Sequence, residues 1–262
     1  VAEQAWRLIL DGPVEGATNM ALDRAVLLSH AAGETPPTLR LYRWEVPTVT
    51  LGRFQPLDQV DLDVCAQRGF DVARRPTGGR GVLHDDELTY SIAAGVGAGV
   101  PRGTAASYRY LSAALAEAYR LLGIPAELTA RSRGAKGSGA CYLHTTPADL
   151  SLGAAKLSGS AQVWRADAVL QHGCFVISRD IPAEAEVFGL AGDGAADLER
   201  STATLEGALG CRPDLEHVAE AVVAGFESAL GVVLERGEPS RAECDAARAF
   251  APEHRVFSAA RH

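Results

Sequence analysis

Apolar residues recur along the chain at two periods, one of two residues and one of three to four, and the alternation divides it into strands and helices. Residues 6–10 read as a strand. From Thr18 onward Leu22, Ala25 and Val26 share one face of an amphipathic helix that stops near Gly33. Residues 38–43 and 47–51 form two short strands joined by a turn, and 61–68 a short helix ended by Gly69. Residues 70–74 and 81–83 are strands around a glycine turn, and 89–94 is a further strand. In the long helix from 104 to 122, Tyr108, Leu111, Leu115, Ala118 and Leu122 lie on one stripe before Gly123 and Pro125 end it. The Gly/Ser/Arg-rich segment 131–140 is a loop. Strands follow at 149–152, 155–163 and 168–177, then a flexible connection at 189–196. A second clear helix covers 215–230, with Leu215, Val218, Val222, Phe226 and Leu230 on one face.

Many strands with a few interspersed helices predict an α+β fold with mixed or mostly antiparallel sheets. A single domain over 1–262 is expected, with a core at about 6–190 and a helical C-terminal portion at about 200–262. Neither strict βαβ alternation nor GxGxxG nor GxxxxGK[ST] is present, which argues against Rossmann and P-loop readings. A chain of 262 residues can bury ~70–75% of its unfolded surface and needs no disulfide or metal to fold. No run of about 18 apolar residues predicts a membrane helix, and no leader is visible after Val1. Five cysteines at irregular spacing without CxxC point to a reducing cytoplasm. The net charge of −8 argues against a nucleic-acid partner. Of the 25 basic residues only Lys136 and Lys156 are lysines.

Four segments carry candidate chemistry. The first runs from Arg74 to Asp86, where three arginines (Arg74, Arg75, Arg80) flank Gly78-Gly79. Adjacent glycines let the backbone approach a ligand, though a plain turn with solvated arginines reads equally from the same residues. Asp85-Asp86 lacks the spaced partners a metal needs. The second is Cys141, which follows a glycine-rich loop containing Arg131, Arg133 and Lys136. Nearby cations depress a thiol's pKa; a small buried hydrophobe is the bland alternative, and it suits Cys65, Cys174, Cys211 and Cys244. In the third, an extended chain puts Lys156, Ser158, Ser160 and Gln162 on one face, either an active-site wall or a sheet edge with a surface lysine. The fourth is Gln171-His172-Gly173 in an apolar strand, where a hydrogen-bonded core histidine competes with a functional one.

In order, Arg-Arg-Pro-Thr-Gly-Gly-Arg-x-Val-Leu-His-Asp-x-Glu-Leu-Thr-Tyr-Ser from Arg74, Ala140-Cys141, Lys156-Leu-Ser-Gly-Ser-Ala-Gln and Leu170-Gln-His-Gly resemble the lipoate/biotin protein ligase catalytic-domain superfamily. Within it the chain is most similar to cysteine-dependent octanoyltransferases, from Asn19-Met-Ala-Leu-Asp to the last predicted helix. The resemblance implies that Cys141 forms an octanoyl thioester and that Lys156, fifteen positions on, lowers the thiol's pKa. It implies octanoyl-acyl carrier protein as donor, a lysine of a lipoyl domain or of glycine cleavage H protein as acceptor, and no cofactor or metal. Substrate contacts are implied for Arg74, Arg75, Thr77, Gly78, Gly79 and His84, and for Gly159, Ser160, Ala161, Gln171 and His172. Arg80, where adenylate-forming ligases carry a third glycine, and Glu87-Leu-Thr-Tyr-Ser favour transfer without ATP. Asp149-Leu150 is shared with lipoate ligases and octanoyl amidotransferases. Those two activities, and a non-catalytic lipoyl-binding module, are the alternatives.

Overall fold

The computed structural model of the protein describes residues 4–129, 133–134, 138–146 and 149–259. The first half of the chain gives β1 (Gln4–Val14), α1 (Gly16–Ala31), β2 (Thr38–Trp44), β3 (Thr48–Leu51), α2 (Leu62–Arg68), β4 (Asp71–Arg74), β5 (Val82–His84), β6 (Glu87–Gly95) and α3 (Thr104–Leu121). The segment around Cys141 contributes the short strands β7 (Glu127–Leu128), β8 (Arg133–Gly134), β9 (His144–Thr145), β10 (Leu150–Leu152) and β11 (Ala155–Ser158). After these come β12 (Ser160–Arg165), β13 (Ala168–Val176), α4 (Ile181–Val187), α5 (Gly194–Ser201), α6 (Leu205–Leu209), α7 (Leu215–Leu230), β14 (Val232–Arg236), α8 (Arg241–His254) and β15 (Arg255–Phe257).

The main sheet has the order β12-β13-β6-β2-β1-β14. Its first four strands are antiparallel, and β1 runs parallel to both β2 and β14. Alternation along β6 sends neighbouring side chains to opposite faces. Ile92 joins Leu111, Leu115, Val218 and Phe226 under α3 and α7, whereas Ala93 joins Ala21, Ala25, Ala247 and Ala251 under α1 and α8. The sheet is thus covered by two helices on each side, and each fully buried Leu, Phe or Val contributes about 1.5–3 kcal/mol. A second sheet, β15-β4-β3-β5, and a third, β11-β10-β7, lie at the level of the candidate site. The α+β class with mixed sheets is the observed one.

Three readings from sequence are corrected. The strand expected at 155–163 is two strands in two sheets, because the chain breaks direction at Gly159. Lys156 and Ser158 therefore belong to a different sheet from Ser160 and Gln162. The connection at 189–196 already contains the start of α5, whose Leu198 is buried. Cys211 is exposed rather than a buried hydrophobe, since it follows the end of α6 and packs into no core; Cys244 is half-buried. Half of the 131–140 loop, with Arg131 and Lys136, lies outside the described residues, and within it Arg133–Gly134 forms β8 rather than loop.

Candidate active site

The glycine turn fixes the backbone of Cys141. Gly81 N–H donates to Gly139 O, and Cys141 N–H donates to Gly81 O, each at 2.8 Å. Arg75 is buried within the turn it was read to flank. Its guanidinium donates to Gly78 O at 2.9 Å and to Arg80 O at 2.8 Å. Gly79 sits at φ 101°, a conformation that side-chain-bearing residues avoid. Arg74 turns the other way and donates to Gly52 O and Gln55 O, both at 2.8 Å. Both arginines thus spend their donors on backbone carbonyls instead of water.

Cys141 opens a 3-10 turn and is half-buried beside Lys156, which β11 holds at 2% exposure. Lys156 Nζ lies 3.5 Å from Cys141 Sγ, 3.0 Å from the carboxylate of Asp149 and 3.0 Å from His144 O. Burial alone would lower the lysine's pKa, but Cys141 and Asp149 outweigh it and raise the pKa above the ordinary value. The ammonium is therefore retained in a site where an isolated one would lose its proton. The position of Lys156 depends on Gly159, where a Cβ would stand 2.7 Å from Lys156 Cε and 2.9 Å from Nζ.

From this pair a cavity of about 200 Å³ runs inward. Met20, Tyr42, Trp44, Val82 and Tyr142 give it apolar walls, and Arg75, Gly79, His84, Gly159, Ser160, Ala161 and His172 line it as well. Gly78 lines an adjoining groove with Ser160 and Gln162. Arg74, Thr77 and Gln171 do not reach the cavity wall: Arg74 lines a separate groove, and Thr77 and Gln171 stand behind the wall. Thr77 shares a 2.7 Å hydrogen bond with His172, whose other nitrogen meets Asp23 at 3.1 Å. Gln171 holds Tyr90 at 3.2 Å.

Behind the wall, a polar network explains the Asn19-Met-Ala-Leu-Asp23 segment. Asn19 and Asp23 both take hydrogen bonds from the buried guanidinium of Arg40, at 2.7 and 2.9 Å. Burial would raise the pKa of Asp23, but His172 and Arg40 outweigh it and hold the carboxylate below its usual range. Burial dominates His172 itself, whose pKa falls below the ordinary imidazole value despite Asp23. His84 bonds Glu87 at 2.7 Å and Thr50 at 2.8 Å and stacks on Trp44.

Cys174 and Cys65 are both buried. Burial, aided by Glu87, pushes the Cys174 thiol well up, and burial raises Cys65 to about 11. His84, Glu87 and Cys174 also form a group with ligating atoms within 4.8 Å of one another, but it is already paired internally. Asp86 is engaged by Arg212 at 2.5 and 2.6 Å.

Two of the polar groups beside the Cys141–Lys156 pair were not assigned a role from sequence. Asp149 is one, and its pairing with Lys156 follows from the β10–β11 hairpin. The other is His144, three residues after Cys141. It lines the cavity, and its Nε2 is buried without a hydrogen-bond partner among the described residues. Burial and then Arg80 push its pKa below the ordinary value.

An apolar cavity that ends at a cysteine beside a buried ammonium defines a class: enzymes that hold an acyl chain and transfer it at one carbonyl. The chain belongs to the lipoyl protein ligase A/B catalytic domain family, whose model matches residues 15–227. It is 38% identical over 257 residues to octanoyltransferase LipM of Kyrpidia tusciae, covering 93% of this chain and 94% of that protein. It is 36% identical over 253 residues to octanoyltransferase LipM of Symbiobacterium thermophilum, covering 92% of each. A lipoate-protein ligase A crystal structure with ATP shares the fold, with a TM-score of 0.80, 24% identity and 95% coverage of both chains. So does the bipartite lipoate protein ligase of Thermoplasma acidophilum, at TM-score 0.75 and 24% identity, covering 96% of this chain and 92% of that one.

Proposed function

We propose that the protein takes octanoate from octanoyl-acyl carrier protein onto Cys141 and passes it to a lysine of a lipoyl domain or of glycine cleavage H protein. The activity is octanoyl transfer in lipoate biosynthesis, and the enzyme is an acyltransferase. The single observation that carries the mechanism is the 3.5 Å approach of Lys156 Nζ to Cys141 Sγ at the head of an apolar cavity. Burying an eight-carbon chain there gains about 0.8 kcal/mol per methylene, about 5 kcal/mol in all, enough to anchor the reacting carbonyl.

In the first step Cys141 sulfur attacks the donor thioester carbonyl, and the carrier thiolate leaves. The Lys156 ammonium pairs with the attacking sulfur's charge. In the second step the acceptor amine attacks the Cys141 thioester. His144, neutral because burial disfavours its cation, takes the amine's proton as the C–S bond breaks and Cys141 thiolate leaves toward Lys156. Backbone N–H groups of Gly79 and of Gly159–Ala161 are the candidate donors to the thioester oxygen. A thiol nucleophile must stay reduced, which supports a cytoplasmic location. Among the described residues no helix is long and apolar enough to cross a membrane.

Intact-mass measurement after mixing with octanoyl-acyl carrier protein, without ATP, tests the reading. The expected result is one octanoyl adduct, absent in Cys141→Ala and discharged by apo lipoyl domain. Octanoylation that needs ATP, or that draws on octanoylated H protein alone, overturns the donor.

A further inference from the structure

The chain has 33 acidic and 25 basic residues, yet one groove reverses that balance. A cavity of about 280 Å³ is lined by Arg24, Arg53, Arg74, Arg75 and Arg165, with Glu253 the one carboxylate. Glu253 is already neutralised by Arg24 at 2.7 Å. Arg53 and Arg165 are exposed, and neither has an ion-pair partner among the described residues. Next to Arg53 stands Phe54, the most exposed large hydrophobic of the described residues, at 83%. Arginine around an exposed aromatic is a composition enriched where a protein partner docks.

The groove adjoins the site of chemistry in two ways. Arg75 lines both cavities. On β12, Ala161 lines the catalytic cavity while Val163 and Arg165 line the basic groove. Residues at i, i+2 and i+4 of a strand share a face, so these three form one row. At ~3.3 Å per residue the row is about 13 Å long.

That length selects the partner. A lysine side chain has five bonds from Cα to Nζ and reaches about 6 Å, too short to span from Arg165 to the cavity. A phosphopantetheine arm has about thirteen bonds from phosphorus to sulfur and reaches about 15 Å. The geometry points to the groove as the docking site of the donor protein. An acidic surface carrying the phosphodiester would sit against Arg53 and Arg165, with the arm laid along Ala161, Val163 and Arg165 into the cavity. This assignment rests on the proposed carrier-bound donor. It separates the two macromolecular substrates, since the acceptor then needs a different face. A positive groove draws an acidic partner surface in spite of this chain's net charge of −8.

The test is the double substitution Arg53→Glu with Arg165→Glu, assayed for Cys141 octanoylation. The KM for octanoyl-acyl carrier protein should rise at least tenfold, and its salt dependence should flatten. Octanoyl-N-acetylcysteamine, which has neither phosphate nor protein, should react at the wild-type rate, which also shows that the variant is folded. The KM of the lipoyl-domain acceptor should not move. Unchanged KM for the carrier, equal loss with the small thioester, or a rise confined to the acceptor each overturns the assignment. Wild-type enzyme that accepts octanoate from the small thioester but never from the carrier overturns the donor reading itself, a result read without the variant.

Discussion

Replacing Lys156 by methionine removes a cation that is 2% exposed and paired at 3.0 Å with an equally buried Asp149. The methionine fills the aliphatic path, so the lost volume is small. What remains is a buried carboxylate without its partner, which costs about 3–5 kcal/mol. For a chain of this size that is a fall in melting temperature of about 6–20 °C, at about 2–4 °C per kcal/mol. Asp149 also accepts Thr146 N–H at 2.7 Å, which places the cost toward the lower end. Octanoylation of Cys141 should fall about a hundredfold or more, the usual loss when a charge-stabilising donor is removed. The two effects separate in the double variant Asp149→Leu with Lys156→Met. An apolar pair in place of a buried ion pair is close to neutral in stability, so melting should recover while octanoylation should not. Urea unfolding and single-turnover mass measurements on the two variants decide it. If Lys156→Met alone costs less than about 1 kcal/mol, or if the double variant regains activity, the pair is not the buried, charged and catalytic one described.

Cys141→Ala should abolish adduct formation, whereas Cys174→Ala and Cys65→Ala should retain it; peptide mapping that puts octanoate on Cys174 would reverse the assignment. Gly159→Ala forces a Cβ against Lys156 Cε and Nζ at 2.7 and 2.9 Å, so kcat should drop more than tenfold with only a few degrees of lost melting temperature; an unchanged kcat would show that the lysine has room to move. His172 has a lowered pKa chiefly through burial, so the unfolded chain takes up its proton first. Stability is then complete above about pH 6.5 and declines as pH falls; urea titrations from pH 7 to 5 should show a shallower decline in His172→Gln, and an identical slope would refute the linkage.

The long elements were legible because their periodicity is local: α3 and α7 match their stripes to within a residue or so. Cys141 and Lys156 were legible through order and spacing. The break at Gly159 was not, because alternation of side chains continues through it while the chain changes sheets. Helices α4, α5 and α6 span only 7, 8 and 5 residues, too few for a periodic signal. Helix α8 did leave one: Ser240 and Glu243 form a capping box. The His172–Asp23 contact joins residues 149 apart in sequence, and no window along the chain contains both. Arg75 was read either as a solvated turn residue or as a substrate contact; only the fold shows four backbone and side-chain acceptors waiting for it.

Both flanks of the protein are closed by its last stretch. β14 runs parallel to β1 at the sheet edge, α8 packs on α1, and His254 takes up Arg74 O at 2.6 Å beside the glycine turn. A ribosome delivers the chain from the other end, so β1 and α1 emerge more than two hundred residues before the strand and helix that complete them. Contacts so distant in sequence form late and slowly. During synthesis α1, whose Asp23 orients His172, has one face waiting for its cover. The polar network behind the cavity wall is therefore secured late, after the strand and helix that complete β1 and α1 have been made.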